Sequence, residues 1–154
     1  MRAFAQTFVP ASIALCLLAL CASASAEPIE ADPTFGPALE APELYYGVYA
    51  DSDQPSRQWF VSEAKRPQFA EHAPEVPPGH LMIGALFGDV APWQMKTLSE
   101  TDFEQAWVME GQEPVTVRFE LDADGRAVAL TFTDPMLADQ GRLERRGDLP
   151  DDLR

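Results

Sequence analysis

Along residues 117–132 the chain reads VRFELDADGRAVALTF. Val117, Phe119 and Leu121 alternate with Arg118, Glu120 and Asp122, and past Asp124-Gly125 the residues Val128, Leu130 and Phe132 alternate with small or hydroxylated ones. Period-two patterning puts alternate side chains on opposite faces of a strand. Two such runs joined by Asp-Gly predict an antiparallel hairpin whose apolar faces, Phe119 and Phe132 among them, meet a common core. Short runs of the same kind, rich in aromatic and β-branched residues and bounded by turn residues, recur at 45–50, 57–61, 80–87, 94–98, 103–108 and 142–146. Together with 115–121 and 127–133 these are eight strand candidates. No segment sustains helical spacing for long. Thr101-Asp102-Phe103-Glu104 has capping-box spacing, but Phe103 and Trp107 suit a sheet, so we read strand there. Residues 62–79 hold Pro67, Pro74, Pro77 and Pro78, which leave room for one helical turn at most. The expected fold is all-β: an antiparallel meander of about eight strands forming a barrel, with one or two short helical turns at most.

The ends of the chain follow other patterns. Residues 1–26 combine a positive charge at Arg2, an apolar run at 13–20 and the small-residue sequence Ala24-Ser25-Ala26, the three-part layout of a secretory signal peptide. The apolar run is short of the about 20 residues that span a bilayer, so no membrane span is expected after cleavage. The protein is therefore expected to be periplasmic or secreted. Two alternatives are an uncleaved anchor and a lipoprotein anchored at Cys21, although Leu20 stands just before that cysteine, where lipidation signals carry a small residue. Residues 27–44 contain Pro28, Pro33, Pro37 and Pro42, too closely spaced for helix or paired strand, and read as an extended Pro/Glu-rich linker. The domain itself is expected over 45–146, followed by an acidic tail at 147–154.

Composition narrows the chemistry. The two cysteines, Cys16 and Cys21, both lie in the leader, so the mature chain is expected to have no disulfide, thiolate nucleophile or cysteine metal site. All 25 acidic residues lie beyond Ala26, and the net charge is −14. Phosphate backbones are bound by clustered Lys and Arg, so a nucleic-acid partner is not expected. A strongly acidic surface favours solubility and cationic partners.

Several motifs carry candidate chemistry. D-A-D-G resembles part of a calcium loop, and with Gly125 at its sixth position Glu120, Asp122 and Asp124 fall on ligand positions. The twelfth position, which needs a bidentate glutamate, is then Thr131, so the hairpin reading holds. Ser62-Glu63-Ala64-Lys65 matches the S-x-x-K of penicillin-recognising enzymes, but the supporting S-D-N and K-T-G elements are missing, with Lys96-Thr97-Leu98 lacking the glycine, and Pro67 interrupts the helix such a lysine needs. His72 and His80, with Glu71 and Asp89, have no zinc-ligand spacing and read as surface histidines beside a loop. No metal or cofactor is expected. The aromatic residues offer the better candidates: Tyr49, Trp59, Trp93 and Trp107 lie in or beside strand candidates, where they either pack the core or line a small-ligand cavity.

Tyr45-x-Gly47-x-Tyr49 at the start of the domain and VRFELDADGRAVALTF near its end resemble the lipocalin-like domain at the C-terminus of serine β-lactamase-like peptidases and esterases, over residues 45–146. The resemblance implies a barrel-like antiparallel β domain, here free-standing. In that family the catalytic serine belongs to the partner domain, so it assigns no role to Ser62 or Lys65. The expected function is that of an exported, non-enzymatic binding or accessory protein that takes a small apolar molecule or a protein partner. Two other classes stay open: a hydrolase working through carboxylates or a Ser62/Lys65 pair, and an acidic inhibitor or immunity-type protein of a basic enzyme.

Overall fold

The computed structural model describes residues 34–64, 76–88, 90–108 and 110–153. The expected signal peptide with Cys16 and Cys21, and Lys65, Glu71, His72 and Asp89, lie outside the described residues. All eight strands are present: β1 Gly47–Ala50, β2 Gln58–Glu63, β3 Leu81–Ala85, β4 Trp93–Thr97, β5 Asp102–Gln105, β6 Thr116–Leu121, β7 Ala127–Phe132 and β8 Arg142–Gly147. Each pairs antiparallel with the next and β8 returns to β1, so the meander closes into a barrel. The helical elements among the described residues are short 3₁₀ turns, Pro42–Leu44, Ala138–Gln140 and Asp151–Leu153.

The hairpin shows why these residues form strands. Val117 pairs with Phe132 and Phe119 with Leu130, and all four side chains are buried inside. At the turn Asp122 Oδ1 accepts the backbone N–H groups of Asp124 and Arg126, both at 2.9 Å, and Gly125 has φ +77°. The aspartate that a calcium loop would use as a ligand is thus occupied in fastening the turn. Val128 departs from the expected alternation. The register shifts between Glu120, opposite Ala129, and Leu121, opposite Ala127, which leaves Val128 as the extra residue of a β-bulge and turns it to solvent. The capping-box pattern at Thr101 makes cap-type bonds without a helix: Ser99 Oγ accepts the N–H groups of Thr101 and Asp102 at 3.2 and 3.0 Å, which builds the β4–β5 turn instead.

Inward side chains fill the barrel. Tyr49, Val61, Leu81, Ile83, Met95, Phe103, Val117, Phe119, Leu130 and Leu143 form one buried cluster. On the outer face opposite charges sit in register, Lys96 with Glu104 at 2.9 Å and Arg118 with Asp102 at 2.6 Å. Arg142 reaches over β7 to grip both carboxylate oxygens of Glu120 at 2.8 Å. Such exposed pairs contribute little singly, about 0.2–1 kcal/mol, but they match register to charge.

Two segments outside the strands pack more tightly than the sequence suggests. Within the stretch read as a linker, residues 34–44 lie along one end of the barrel: Phe35 is fully buried, its carbonyl accepts the Thr97 N–H at 2.8 Å, and the Leu39 N–H donates to Gly79 at 2.9 Å. The prolines exclude ladder pairing but not docking by isolated amides. His80, expected on the surface, is 2% exposed. It packs edge-on against Phe35, with Nδ1 3.1 Å from the Pro77 carbonyl and Nε2 3.3 Å from that of Gly36. In the expected acidic tail, Leu149 is buried as well.

The seam between β8 and β1 is built around Arg145. Its inward-turned guanidinium donates to the carbonyls of Leu44 and Ala127, each at 3.5 Å, and to that of Tyr46. Gly47 makes room for it, because a Cβ there would stand 2.8 Å from Arg145 Nε and 2.8 Å from the Gly147 carbonyl oxygen. Gly47→Ala is therefore expected to lower the unfolding free energy by about 2 kcal/mol or more, by displacing a charge from the backbone carbonyls that accept it. In urea titrations its cost should be less than additive with that of Arg145→Ala. Gly125→Val, which forces a β-branched residue to positive φ, should cost about 1–3 kcal/mol in the same assay.

Candidate binding site at the open end of the barrel

The two ends of the barrel differ. At one, residues 34–46 lie across the strand ends. At the other, the loops 51–57, 86–92, 106–115 and 133–141 leave β1, β3, β5 and β7. The aromatic core divides accordingly. Tyr45, Phe103 and Phe119 meet edge-to-face near the closed end, with centroids 5.3–5.7 Å apart, and Tyr49 joins them at 6.1 Å from Phe119. Toward the open end Trp59 stacks on Trp93 at 5.6 Å and 25°, with Phe132 at 4.7 Å and Phe87 at 5.4 Å from Trp59. Edge-to-face and offset arrangements are those that aromatic quadrupoles favour, so both tiers are well packed.

The four aromatic residues singled out from the sequence do not share one pocket. Trp59 and Trp93 meet directly. Tyr49 is Trp59's cross-strand partner, but its ring belongs to the closed-end tier and its hydroxyl donates to the Tyr45 carbonyl at 2.7 Å. Trp107 lies on the 106–115 loop and is 47% exposed. Gln105 fixes the base of that loop, donating from Nε2 to the Trp107 carbonyl at 2.9 Å and accepting the Val115 N–H at 3.3 Å, and these side-chain bonds end β5 sooner than the pattern of residues predicts.

The alternation of β7 marks Phe132, but no sequence signal marks Leu86, Val90 or Met136. Leu86 and Val90 stand exposed on the 86–92 loop, and Met136 on the 133–141 loop is 81% exposed. The last of these is held out by construction. Asp134 Oδ1 accepts the N–H groups of Met136 and Leu137 at 3.0 Å each, and Leu137 packs against the core. Apolar side chains thus ring the mouth on three of its four loops.

Below that ring lie two unsatisfied polar atoms. Trp59 Nε1 and Asp134 Oδ2 are buried and find no hydrogen-bond partner among the described residues. Leaving such a group unmade costs about 1–3 kcal/mol. One is a donor and the other an acceptor, and a molecule at the mouth could satisfy either only by displacing the side chains that cover it.

The motif Ser62-Glu63-Ala64-Lys65 looks different in the fold. Ser62 is buried within β2 rather than at a helix start, and its hydroxyl donates to the Glu63 carbonyl at 3.3 Å. Among the described residues no group of His, Cys, Asp or Glu is arranged to hold a metal ion, and no helix is long and apolar enough to cross a membrane.

No family model, curated protein or solved structure matches the chain.

Burial also sets the protonation of the tyrosines. Tyr46 is pushed up to about 12 by desolvation, helped by the nearby carboxylates of Glu63 and Glu43. Desolvation raises Tyr49 further, against the opposing charge of Arg145, and raises Tyr45 with help from Glu100. These are the chain's three tyrosines. A phenol whose folded value exceeds its unfolded value of about 10 contributes stability that is fully present below that pH and lost as pH rises through the folded value. Unfolding free energy should therefore fall steadily above about pH 10. Tyrosinate absorbance should rise with the loss of circular dichroism rather than before it; a phenol ionising near pH 10 in the intact fold would contradict the burial described.

Proposed function

We propose that the chain is an exported, non-enzymatic binding protein whose barrel presents a site for a small apolar molecule at its open end. The observation that carries this reading is the buried, unpartnered Trp59 Nε1 beneath an exposed apolar rim. A rim alone would suit any sticky surface, whereas a lone donor among stacked rings suits an apolar molecule with one hydrogen-bond acceptor. Because side chains fill the interior, the ligand lies across the mouth, over Trp93 and against Trp107, Leu86 and Met136, rather than deep inside. The leader at 1–26 supports export to the periplasm or beyond, and the Tyr45-x-Gly47-x-Tyr49 opening supports kinship with the lipocalin-like domains of β-lactamase-like peptidases. A Ser62 nucleophile has little support, since its hydroxyl is buried in a strand.

Titration with a medium-chain fatty acid and with its methyl ester, followed by tryptophan fluorescence, tests the reading. Both carry an acceptor oxygen, but the net charge of −14 opposes the acid, so the ester should bind more tightly. Saturable quenching is expected, about tenfold weaker in Trp59→Phe through loss of the N–H, and weaker still in Met136→Lys, with circular dichroism unchanged in both. Quenching that rises linearly without saturating, or that is indifferent to both substitutions, would dismiss the site.

A further inference from the structure

Basic residues are scarce here, 11 against 25 acidic ones, yet three arginines border one hollow of about 350 Å³ beside the start of β7 and the end of β8. Arg126, Arg145 and Arg146 share it with Asp148 and with the backbone of Ala127, Val128 and Gly147. The hollow exists because β7 and β8 part company. Their pairing runs only from Thr131 opposite Arg142 to Ala129 opposite Glu144, although β7 begins at Ala127 and β8 continues to Gly147. The bulge at Val128 bends one strand, and the register shift opposite Val48 and Tyr49 bends the other toward β1.

The charges around this opening are unequally matched. Asp148, 71% exposed at its side chain, is the one carboxylate bordering the hollow, and it stands 3.5 Å from Arg145 and 3.6 Å from Arg126, near the outer limit of an ion pair. Arg146 turns toward Glu144 at 3.4 Å and donates to Ser52 at 2.9 Å. Arg145 cannot move to meet a closer counter-ion, because backbone carbonyls hold it. It is also only 12% exposed, so its charge acts where water screens it poorly.

We propose that this hollow binds a small oxyanion, a carboxylate or a phosphate, between Arg126 and Arg145, in the place that the Asp148 carboxylate approaches but does not fill. Arg126, half exposed, can turn a pair of N–H donors to such oxygens, while Arg145, held by the Leu44, Ala127 and Tyr46 carbonyls, offers the Nη2 donor that Asp148 approaches at 3.5 Å and gives up little freedom on binding. The volume is several times the about 30 Å³ of a water molecule, so an anion can enter with part of its hydration. The site lies at the opposite end of β7 and β8 from the mouth and stands independently of the apolar site there.

The test is a nuclear magnetic resonance titration of the folded protein with inorganic phosphate and, separately, with acetate, each against sodium chloride at matched ionic strength. The side-chain Nε–H signals of Arg126 and Arg145 and the amides of Val128 and Gly147 should shift saturably with at least one anion, and whichever anion saturates names the source. Arg126→Gln should weaken binding about tenfold, and Asp148→Asn, which removes the internal competitor, should tighten it several-fold. Both residues are exposed, so melting temperature serves as the control on folding. Shifts that never saturate with either anion, persist in Arg126→Gln, or fail to tighten in Asp148→Asn would overturn the proposal.

Discussion

A meander of eight strands becomes a barrel only where its first and last members pair, and here that pairing is short: Val48 opposite Gly147, Tyr49 opposite Arg145 and Ala50 opposite Glu144, with a register shift in its middle. Three residue pairs would be a weak closure were it not reinforced from within. Arg145 supplies the reinforcement by bonding backbone on both of its flanks, the Leu44 and Tyr46 carbonyls just before β1 and that of Ala127 on β7. One side chain thereby ties the entrance of the first strand to the seventh and eighth. The charge is admitted because carbonyl dipoles replace water around it, and the absence of a side chain at Gly47 lets β1 approach. Closure then removes the exposed edges that would otherwise template aggregation, and it gives the aromatic tiers a wall on every side.

A closed wall with a filled interior limits where binding chemistry can occur. Edge-to-face contacts among Tyr45, Phe103 and Phe119 pack the lower half, and the Trp59–Trp93 stack lies in the upper half. The ends and the outside surface remain. One end is partly covered by the chain itself, since Phe35 and the Pro42–Leu44 turn lie against it, and a hollow of about 450 Å³ remains between this segment and Thr97, Glu100 and Leu121. The other is ringed by loops, and side-chain bonds from Gln105 to Trp107 and Val115 and from Asp134 to Met136 and Leu137 hold the backbone at two of their apolar residues. Displaying Met136 or Trp107 in this way exposes apolar surface that packing could have hidden, which is the physical reason for assigning those positions to binding rather than stability.

Much of the wall was legible in the order of residues, because period-two alternation is a local signal. Val117, Phe119, Leu130 and Phe132 are inside where alternation puts them, and the Asp124-Gly125 turn has the positive φ its glycine requires. Departures arise where a non-local contact intervenes. Val128 fits the alternation but lies on a bulge set by register with β6. His80 reads as a loop histidine but is enclosed by Phe35, forty-five residues earlier in the chain. Arg145 occupies an inward position that patterning reserves for apolar residues, and only the convergence of carbonyls from distant segments makes it tolerable. For the mouth the sequence gives still less: it offers Tyr49, Trp59, Trp93 and Trp107 as one group, and nothing local separates a ring in the core from a ring on a rim. Phe35 was hidden for another reason, since neighbouring prolines argue against regular structure and say nothing about docking.

The polar accounts of wall and ends point the same way. Along the barrel the outward charges are matched, Lys96 with Glu104 and Arg118 with Asp102 across register and Arg142 with Glu120 over β7. The buried side-chain atoms left without a partner among the described residues, Trp59 Nε1, Asp134 Oδ2 and Thr97 Oγ1, all lie at or just beyond strand ends. A fold selected for stability alone gains by satisfying or deleting such atoms, and a valine at 97 would do so at nearly constant shape. Trp59 carries the most weight of the three, because its donor is surrounded by aromatic rings that offer no strong acceptor, while the rim just above is apolar and open. An acceptor that arrives with its own apolar body would remove both costs at once, the unmade hydrogen bond below and the exposed surface above.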